Sequence, residues 1–497
     1  MNERITEKAA GNNLLIRSDC KEALQKLIKD GIKVDLIYLD PPFNSSRIYN
    51  LLYSKNGITA QSKAFHDMWE INSQTQQMLF SFENLIDTMD ISNLVKNFLK
   101  VWIAPLREGN VEDKRMLVYL IYMTERLVLM KEILKDTGSL YYHCDPTASH
   151  YIKIILDGIF GREKFRNEVV WAYGSGGTSD KWYPKKHDIL LFYTKSKNYY
   201  FNQLKEKAYL DKSKGYNNKV EWLIDNNGEE YKLTSIRDVW NIPIINNNAK
   251  ERLGYPTQKP VALLDRIMKA SCPQGGIVLD PFCGCGTTIA GAIQNNLNWI
   301  GIDISYDAVD IMKDRIKNHL YFQGSYTFID GSPETKAEYD KLNAFAKQDW
   351  LITKLGGVPN RKHSGDDGVD GDLTIHLGID DKGLDKWGRI IFSVKAHKKS
   401  SPDMLRDLLG TMVDKKADMG ILILDTDPSD NMVSIAQRQG EIEYLFKKDL
   451  PPNIYYKVQI ITSDEIIDAV SNKRPPISIP PSLKEIKLFR DDKNLLI

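Results

Sequence analysis

The chain has 497 residues, with 67 Lys+Arg against 66 Asp+Glu, a net charge of +1, and 42% apolar and 27% charged residues. This composition excludes collagen, a disulfide scaffold and wholesale disorder, and the length is roughly three domains' worth of polypeptide. The five cysteines form no disulfide framework, the N-terminal stretch lacks an apolar signal core, and no segment approaches the ~18 apolar residues of a membrane span, so a reduced, cytoplasmic protein without membrane contact is expected.

A short apolar run at 14–16 leads through Arg17 to Ser18-Asp19, and residues 20–30 follow as a helix with Ala23, Leu24, Leu27 and Ile28 on one face. The buried strand predicted at 34–39 runs into Asp40-Pro41-Pro42-Phe43. Strand, helix, strand is the grammar of a parallel α/β sheet. Residues 70–136 read as mostly helical, ending in the 3.6-periodic run 117–134, with Thr137-Gly138 as the stop. A strand at 139–143, a helix at 152–160 and strands at 167–171 and 188–193 come next. From 194 to 250 the rhythm is lost in a polar, aromatic, Lys- and Asn-rich stretch, as in an inserted recognition region. Order returns with a helix at 261–271, a strand at 276–279, a helix at 287–294 and a strand at 299–303 that ends in an acid.

A second unit begins near 335, with a helix at 337–355, paired strands at 372–377 and 389–394, a helix at 402–412 and a buried strand at 419–424. The expected domains are therefore 1–330, with the recognition region inserted at about 194–250, then 336–470, and a loose tail at 471–497.

Two clusters carry chemistry. Asp40-Pro41-Pro42-Phe43 lies at the carboxyl end of a buried strand, where open α/β sheets place their ligands. Two prolines remove amide donors and leave carbonyl acceptors beside a carboxylate, which suits a planar exocyclic amine with Phe43 stacked on its ring. In the second, Asp280-Pro281-Phe282-Cys283-Gly284-Cys285-Gly286-Thr287-Thr288, a strand enters a Gly-rich turn that opens a helix. No Lys follows the final Gly, so it is not a phosphate loop, and no G-x-G-x-x-G is present. With Asp303 about 20 residues on, where a carboxylate can bind ribose hydroxyls, the pattern reads as a nucleoside site without a bound phosphate.

The first cluster resembles the catalytic motif, and the second the S-adenosylmethionine motif, of DNA amino-methyltransferases. The catalytic motif comes first and Tyr255-Pro256-Thr257-Gln258-Lys259-Pro260 precedes the cofactor motif, an order similar to the β class. The resemblance covers roughly residues 12–320 and includes Ser18-Asp19, 65–69 and 138–145. It implies a Rossmann-like, S-adenosylmethionine-dependent methyltransferase core, with Asp280, Phe282, Gly284 and Gly286 lining the cofactor. Thr257 and Lys259 would lie nearby, Asp303 on the ribose and Asp19 near the cofactor adenine. Asp40, Pro41, Pro42 and Phe43 would take a base flipped out of double-stranded DNA.

Asp before Pro-Pro resembles adenine-N6 more than cytosine-N4 members, and the absence of any Pro-Cys pair argues against 5-methylcytosine chemistry. Cytosine-N4 methylation, RNA methylation and a DNA-binding subunit with a vestigial methylase are the alternatives. A homodimer or a restriction subunit is the expected further partner.

Residues 181–219 carry 10 Lys+Arg against 3 Asp+Glu, interleaved with Trp182, Tyr183, Phe192, Tyr193, Tyr199, Tyr200, Phe201, Tyr209 and Tyr216. That mixture suits phosphate contact and base stacking. In the C-terminal unit, Asp370 before one strand and Lys395 at the end of the next can hold Mg²⁺ and polarise a water. The pattern resembles the Mrr-like branch of the PD-(D/E)xK nucleases, an α/β restriction-endonuclease-like fold, over 337–426. Asp370 would be the metal ligand and Lys395 the catalytic lysine; Ser393 stands where the motif's second acid belongs, so an active nuclease and a DNA-binding module are equal readings.

Overall fold

A computed structural model describes residues 13–41, 47–55, 58–67, 86–101 with gaps, 105, 109–174, 178–209, 221–331 except 247, 256 and 321, 333–360 except 334 and 343, 368–379, 385–395, 400–444, 453–472 and 477–482. Its contacts divide the chain into two compact units, one of residues 1–51 and 64–331 and the other of residues 52–63 and 332–497.

In chain order the first part contains β1 (Asn13–Arg17), α1 (Cys20–Lys29), β2 (Val34–Leu39), β3 (Arg47–Lys55), β4 (Ile58–Asp67), α2 (Val111–Ile133), β5 (Leu134–Cys144), α3 (Ser149–Phe160), β6 (Phe165–Ala172) and β7 (His187–Thr194). There follow β8 (Lys205–Ala208), β9 (Leu223–Ile224), β10 (Glu230–Ser235), β11 (Val239–Asn241), α4 (Val261–Ser271), β12 (Ile277–Asp280), α5 (Thr287–Gln294), β13 (Asn298–Asp303), α6 (Tyr306–Asp314) and β14 (Tyr326–Asp330).

Nine of these strands form one sheet in the order β11-β6-β7-β5-β2-β12-β13-β1-β14. All neighbours are parallel except at β7, which runs against both β5 and β6. The central strands β1 and β2 are buried along their whole length, as a sheet covered on both faces requires. One face is closed by α1, α2 and α3 through Leu24, Leu27, Leu117, Leu127, Ile152 and Leu156. The other is closed by α4, α5 and α6 through Leu263, Ile267, Ile289, Val309 and Met312. The expected Rossmann-like α/β core is therefore present.

From β2 the chain moves through α2 to β5 on one side; from β12 it moves through α5 to β13 on the other. The adjacent strands β2 and β12 thus flank the point where the winding reverses, and ligands bind above such a point.

Local differences from expectation have physical reasons. Gly138 does not end a helix: α2 stops at Ile133, and residues 135–138 bulge within β5 because the register jumps from Val34↔Leu134 to Leu36↔Ser139. A Cβ at Gly138 would lie 2.9 Å from the Asp35 carbonyl, so a close backbone approach requires glycine there. Strands β3 and β4, paired with each other, occupy 47–67, for which no strand was anticipated. The 194–250 stretch holds a three-stranded sheet, β8-β10-β9, and then β11, which joins the large sheet beside β6. Of the aromatics in 181–219, Phe192 and Tyr193 are core residues of β7, Phe192 stacking on Tyr141 at 4.4 Å. Tyr216 lies outside the described residues.

The second unit contains α7 (Lys336–Asp340), α8 (Ala344–Lys354), β15 (Val358–Pro359), β16 (Gly371–Ile379), β17 (Asp385–Lys395), α9 (Pro402–Asp414), β18 (Met419–Leu424), α10 (Asp430–Gln437), β19 (Glu441–Tyr444), β20 (Asn453–Tyr456), β21 (Val458–Thr462) and α11 (Ser463–Ser471). Its main sheet runs β15-β16-β17-β18-β21, antiparallel on one side and parallel on the other. The single helix expected at 337–355 is two helices, with Thr335 capping α7 at the Glu338 amide. Among the described residues no helix is long and apolar enough to cross a membrane.

Candidate functional site

The parallel register Val278↔Leu36 and Leu279↔Ile37 sets the carboxyl ends of β2 and β12 side by side. Asp40 follows β2 and Asp280 closes β12, so two acids 240 positions apart in sequence emerge at one edge. Burial raises the Asp280 pKa to about 7, against the opposing hydrogen bonds from Thr288 and the Phe282 amide and with the negative charges of Asp40 and Asp303 adding to the rise. The Thr288 hydroxyl donates to one oxygen of Asp280 and the Phe282 amide to the other, at 3.0 Å.

The turn after β12 takes left-handed conformations at Gly284 (φ 52°) and Gly286 (φ 75°). A Cβ on Gly286 would meet Met312 Cγ at 2.8 Å, so glycine is required both by the backbone and by the packing of α6. Asp303, at the end of β13, accepts from the Gly284 amide and the Ser305 amide, each at 2.8 Å. Burial lifts its pKa to about 6. This carboxylate therefore shapes the glycine turn while facing the same edge.

Asp19 caps α1 by accepting from the Lys21 amide at 2.7 Å, and both its oxygens accept from Arg126 of α2 at 2.8–2.9 Å. The Arg126 guanidinium lies 3.2 Å from the Tyr122 ring centroid, and Tyr122 is 6.5 Å from Phe282. This chain of contacts connects Asp19 to the glycine turn.

Lys259 closes the edge from the opposite side. Its ammonium donates to Asp40 Oδ2, both side chains being mostly buried. The loop that delivers it is braced by Gln258, which donates to the Glu251 carbonyl (2.6 Å) and accepts from the Leu253 amide (2.9 Å). Thr257, exposed, sits at φ 61°, an uncommon conformation for a β-branched residue. Tyr255 of the same loop packs against Gly284, 3.4 Å from where a Cβ would stand. One loop thus touches both the glycine turn and the Asp40 carboxylate.

Beneath Asp40 is a network whose roles sequence reading did not assign. His143, fully buried near the end of β5, has Nδ1 2.8 Å from the Tyr38 hydroxyl and 3.9 Å from Asp40 Oδ1. Its Nε2 is 3.2 Å from Asp188 Oδ2, and Tyr173 donates to Asp188 Oδ1 at 3.2 Å. Burial pushes the Asp188 carboxyl up, but the His143 hydrogen bond and charge, the Lys259 charge and the Tyr173 hydroxyl outweigh it and hold the pKa below the ordinary value. A histidine followed by Cys144-Asp145 at a buried strand end was the available signal. Pro41 is buried at the site; Pro42, Phe43 and Pro256 lie outside the described residues.

In the second unit, Asp370 precedes β16 and Oδ2 accepts from the Val394 amide of β17 at 2.6 Å. Lys395 is the next residue, and Ser393, nearly fully buried, shares its side of the strand. Asp366 and Asp367 are outside the described residues, among which no group of three or more His, Cys, Asp or Glu residues is placed to hold a metal.

The family described as DNA methylase matches residues 34–314. The type II methyltransferase M.EcaI of Enterobacter cloacae is 26% identical over 399 residues, spanning 68% of this chain and 76% of its own. The DNA adenine methyltransferase YhdJ of Escherichia coli (strain K12) is 31% identical over 223 residues, 44% of this chain and 70% of its own. The crystal structure of the M1.HpyAVI–SAM complex aligns at 17% identity over 61% of this chain and 98% of that one, with a TM-score of 0.34.

Proposed function

The chain belongs to the DNA methylase family, and from that premise we propose that it transfers the methyl group of S-adenosylmethionine to the N6 amino group of adenine in double-stranded DNA, as the modifying activity of a restriction–modification or phage-defence system. The observation that carries this reading is the adjacency of Asp40 and Asp280 on the neighbouring strands β2 and β12. Two left-handed glycines allow close approach, and the carboxylates of Asp40, Asp280 and Asp303 converge at one edge; this donor set fits a cationic nucleoside. The cofactor supplies a methyl already activated by its sulfonium.

The residues of the chain then bind and orient. Asp40 and the Pro41 carbonyl accept the two N–H bonds of the target amine and draw electron density onto its nitrogen. Lys259 fixes the Asp40 carboxylate, and the His143–Asp188 pair supports it from below. Holding the amine in line with the methyl lets positioning and electrostatics suffice, with no covalent enzyme intermediate.

The name of YhdJ, an adenine methyltransferase, favours adenine over cytosine-N4. Incubation with labelled S-adenosylmethionine and unmethylated DNA, followed by nucleoside analysis, is expected to give N6-methyladenine with wild type and none with Asp40→Ala. Transfer undiminished by that substitution refutes the assignment. Long-read sequencing of DNA from expressing cells then gives the recognition sequence.

For the C-terminal unit, DNA binding and Mg²⁺-dependent DNA cleavage by Asp370 and Lys395 are equal proposals, since the bond from the Val394 amide to Asp370 ties the two strands together and favours neither. A cytoplasmic location follows from the proposal that the chain acts on DNA.

A further inference from the structure

The hairpin between β6 and β7 is the segment of the Lys- and aromatic-rich stretch that rises from the catalytic edge. β5 and β6 both run against β7, so the carboxyl end of β6 lies at the same edge as that of β5. The register Ala172↔His187 and Cys144↔Ile189, with Leu39↔Tyr142, puts the mouth of this hairpin close to the level of Asp40. By contrast, β7 ends at Thr194 opposite Ser139, near the amino end of the parallel strands. The chain leading to β8 then bonds to Thr137 and Ala270 at that lower edge.

The mouth is anchored to the site. Tyr173 donates its amide to the Lys186 carbonyl (3.0 Å) and its hydroxyl to Asp188, while Trp171 packs edge-on against His143 at 5.5 Å. Above it, Ser179 Oγ accepts from the Lys181 and Trp182 amides at 3.3 Å, a local turn that brings two adjacent rings to the surface. Trp182 is 67% and Tyr183 95% exposed. Neighbouring large aromatics so exposed are unusual for a surface that remains in water. Residues 179–186 carry three lysines against one aspartate, the charge complement of a phosphate backbone.

We infer that the β6–β7 turn is the wedge that enters duplex DNA beside the target base: Trp182 and Tyr183 stack where the flipped base has left the helix, and Lys181 and Lys185 hold flanking phosphates. This rests on the DNA-methylating function proposed above and assigns the extrusion step to particular residues. Each arm of the hairpin, about six residues, reaches at most ~20 Å from its mouth, enough to engage a duplex whose flipped base occupies the Asp40 site. An inserted ring replaces the stacking lost on extrusion and so lowers the energy of the flipped state.

The test uses the full chain and two duplexes bearing the methylated sequence found in cells, one with adenine at the target for methyl transfer and one with 2-aminopurine there for fluorescence. Trp182→Ala/Tyr183→Ala is expected to retain labelled S-adenosylmethionine binding in equilibrium dialysis. It should lose the 2-aminopurine fluorescence increase and about tenfold to a hundredfold of the transfer rate, the worth of one stacked base. Trp182→Phe/Tyr183→Phe should keep both. A mismatched partner opposite the target adenine, which lowers the flipping energy, should restore transfer by the alanine variant; a purely structural defect would not respond to it. Undiminished fluorescence in the alanine variant, or a defect that the mismatch leaves untouched, overturns the wedge while wild-type transfer leaves the function standing. No transfer to DNA by wild type overturns both.

Discussion

Asp280→Asn separates stability from the proposed cofactor binding at the glycine turn after β12. The Asp280 carboxyl is 3% exposed and its pKa is raised to about 7 from an ordinary 3.8, mainly by burial. Its folded pKa lies above its unfolded one, so folding favours the protonated form. The stabilising contribution is fully present below about pH 4 and is lost as pH rises through 7. Above that, at ~1.4 kcal/mol per tenfold in the proton equilibrium, the ionised carboxylate costs the folded state about 4 kcal/mol. Asparagine removes this penalty; the hydrogen bonds from Thr288 and Phe282, which favour the charged form, are already included in the pKa of about 7. The gain at pH 8 is therefore about 4 kcal/mol, a rise in melting temperature of roughly 8–16 °C in the absence of cofactor. At pH 5, about one unit above the unfolded pKa, the gain should shrink to about 1–2 kcal/mol, and it should vanish only below about pH 4. Cofactor affinity should fall in the variant at both pH values, and in wild type as pH drops below 7. Thermal melts at the two pH values, paired with equilibrium dialysis of labelled S-adenosylmethionine, make the measurement. A variant destabilised equally at pH 5 and pH 8 would refute the reasoning, because the carboxyl would then not be carrying a desolvation penalty.

Lys259→Met leaves Asp40 without the ammonium it faces. Breaking a buried pair on one side typically costs about 3–5 kcal/mol. The expected result is at least a hundredfold loss in kcat/KM, and restoration by Lys259→Arg to within about tenfold. Wild-type kinetics in the methionine variant would remove Lys259 from the site. For the second unit, nicking of plasmid DNA is expected only with Mg²⁺ and is expected to disappear in Lys395→Ala with methylation unchanged; equal nicking by that variant excludes the lysine's role.

The parts of the site that were legible in the sequence are those where a strand's end and its chemistry coincide. Asp40, Asp280 and Asp303 each close a run of apolar residues, and a carboxylate at such a place announces itself. His143 and Asp188 were not legible as a pair: they come from β5 and β7, whose antiparallel contact no local pattern encodes. The same holds for Arg126, whose partner Asp19 lies 107 positions away on another element. Helix limits failed where packing overrode propensity, as at Gly138, where a bulge forced by the neighbouring strand replaced a helix stop. The Lys-rich stretch was read from composition alone, which cannot distinguish Phe192 and Tyr193 in the core from Trp182 and Tyr183 in solvent.

The order of the motifs along the chain matters less than the order of strands across the sheet. β1 lies between β13 and β14, so the chain begins inside the half of the sheet that its later residues complete. Strand β2, which leads into Asp40, is reached by crossing back over β13 and β12, and β12, which ends in Asp280, is added much later beside it. What the chemistry requires is that the two strands flanking the reversal of winding carry the acids. Any chain order that preserves this adjacency preserves the site. The long excursion between β2 and β12 is then free to supply the remainder: α2 brings Arg126 to Asp19, β5 and β7 bring His143 and Asp188 under Asp40, and the β6–β7 hairpin rises beside them. Placing the Asp40 motif first puts the segments proposed to act on the target amine and on DNA within one continuous stretch, while the glycine turn after β12 is closed afterwards by α5 and β13.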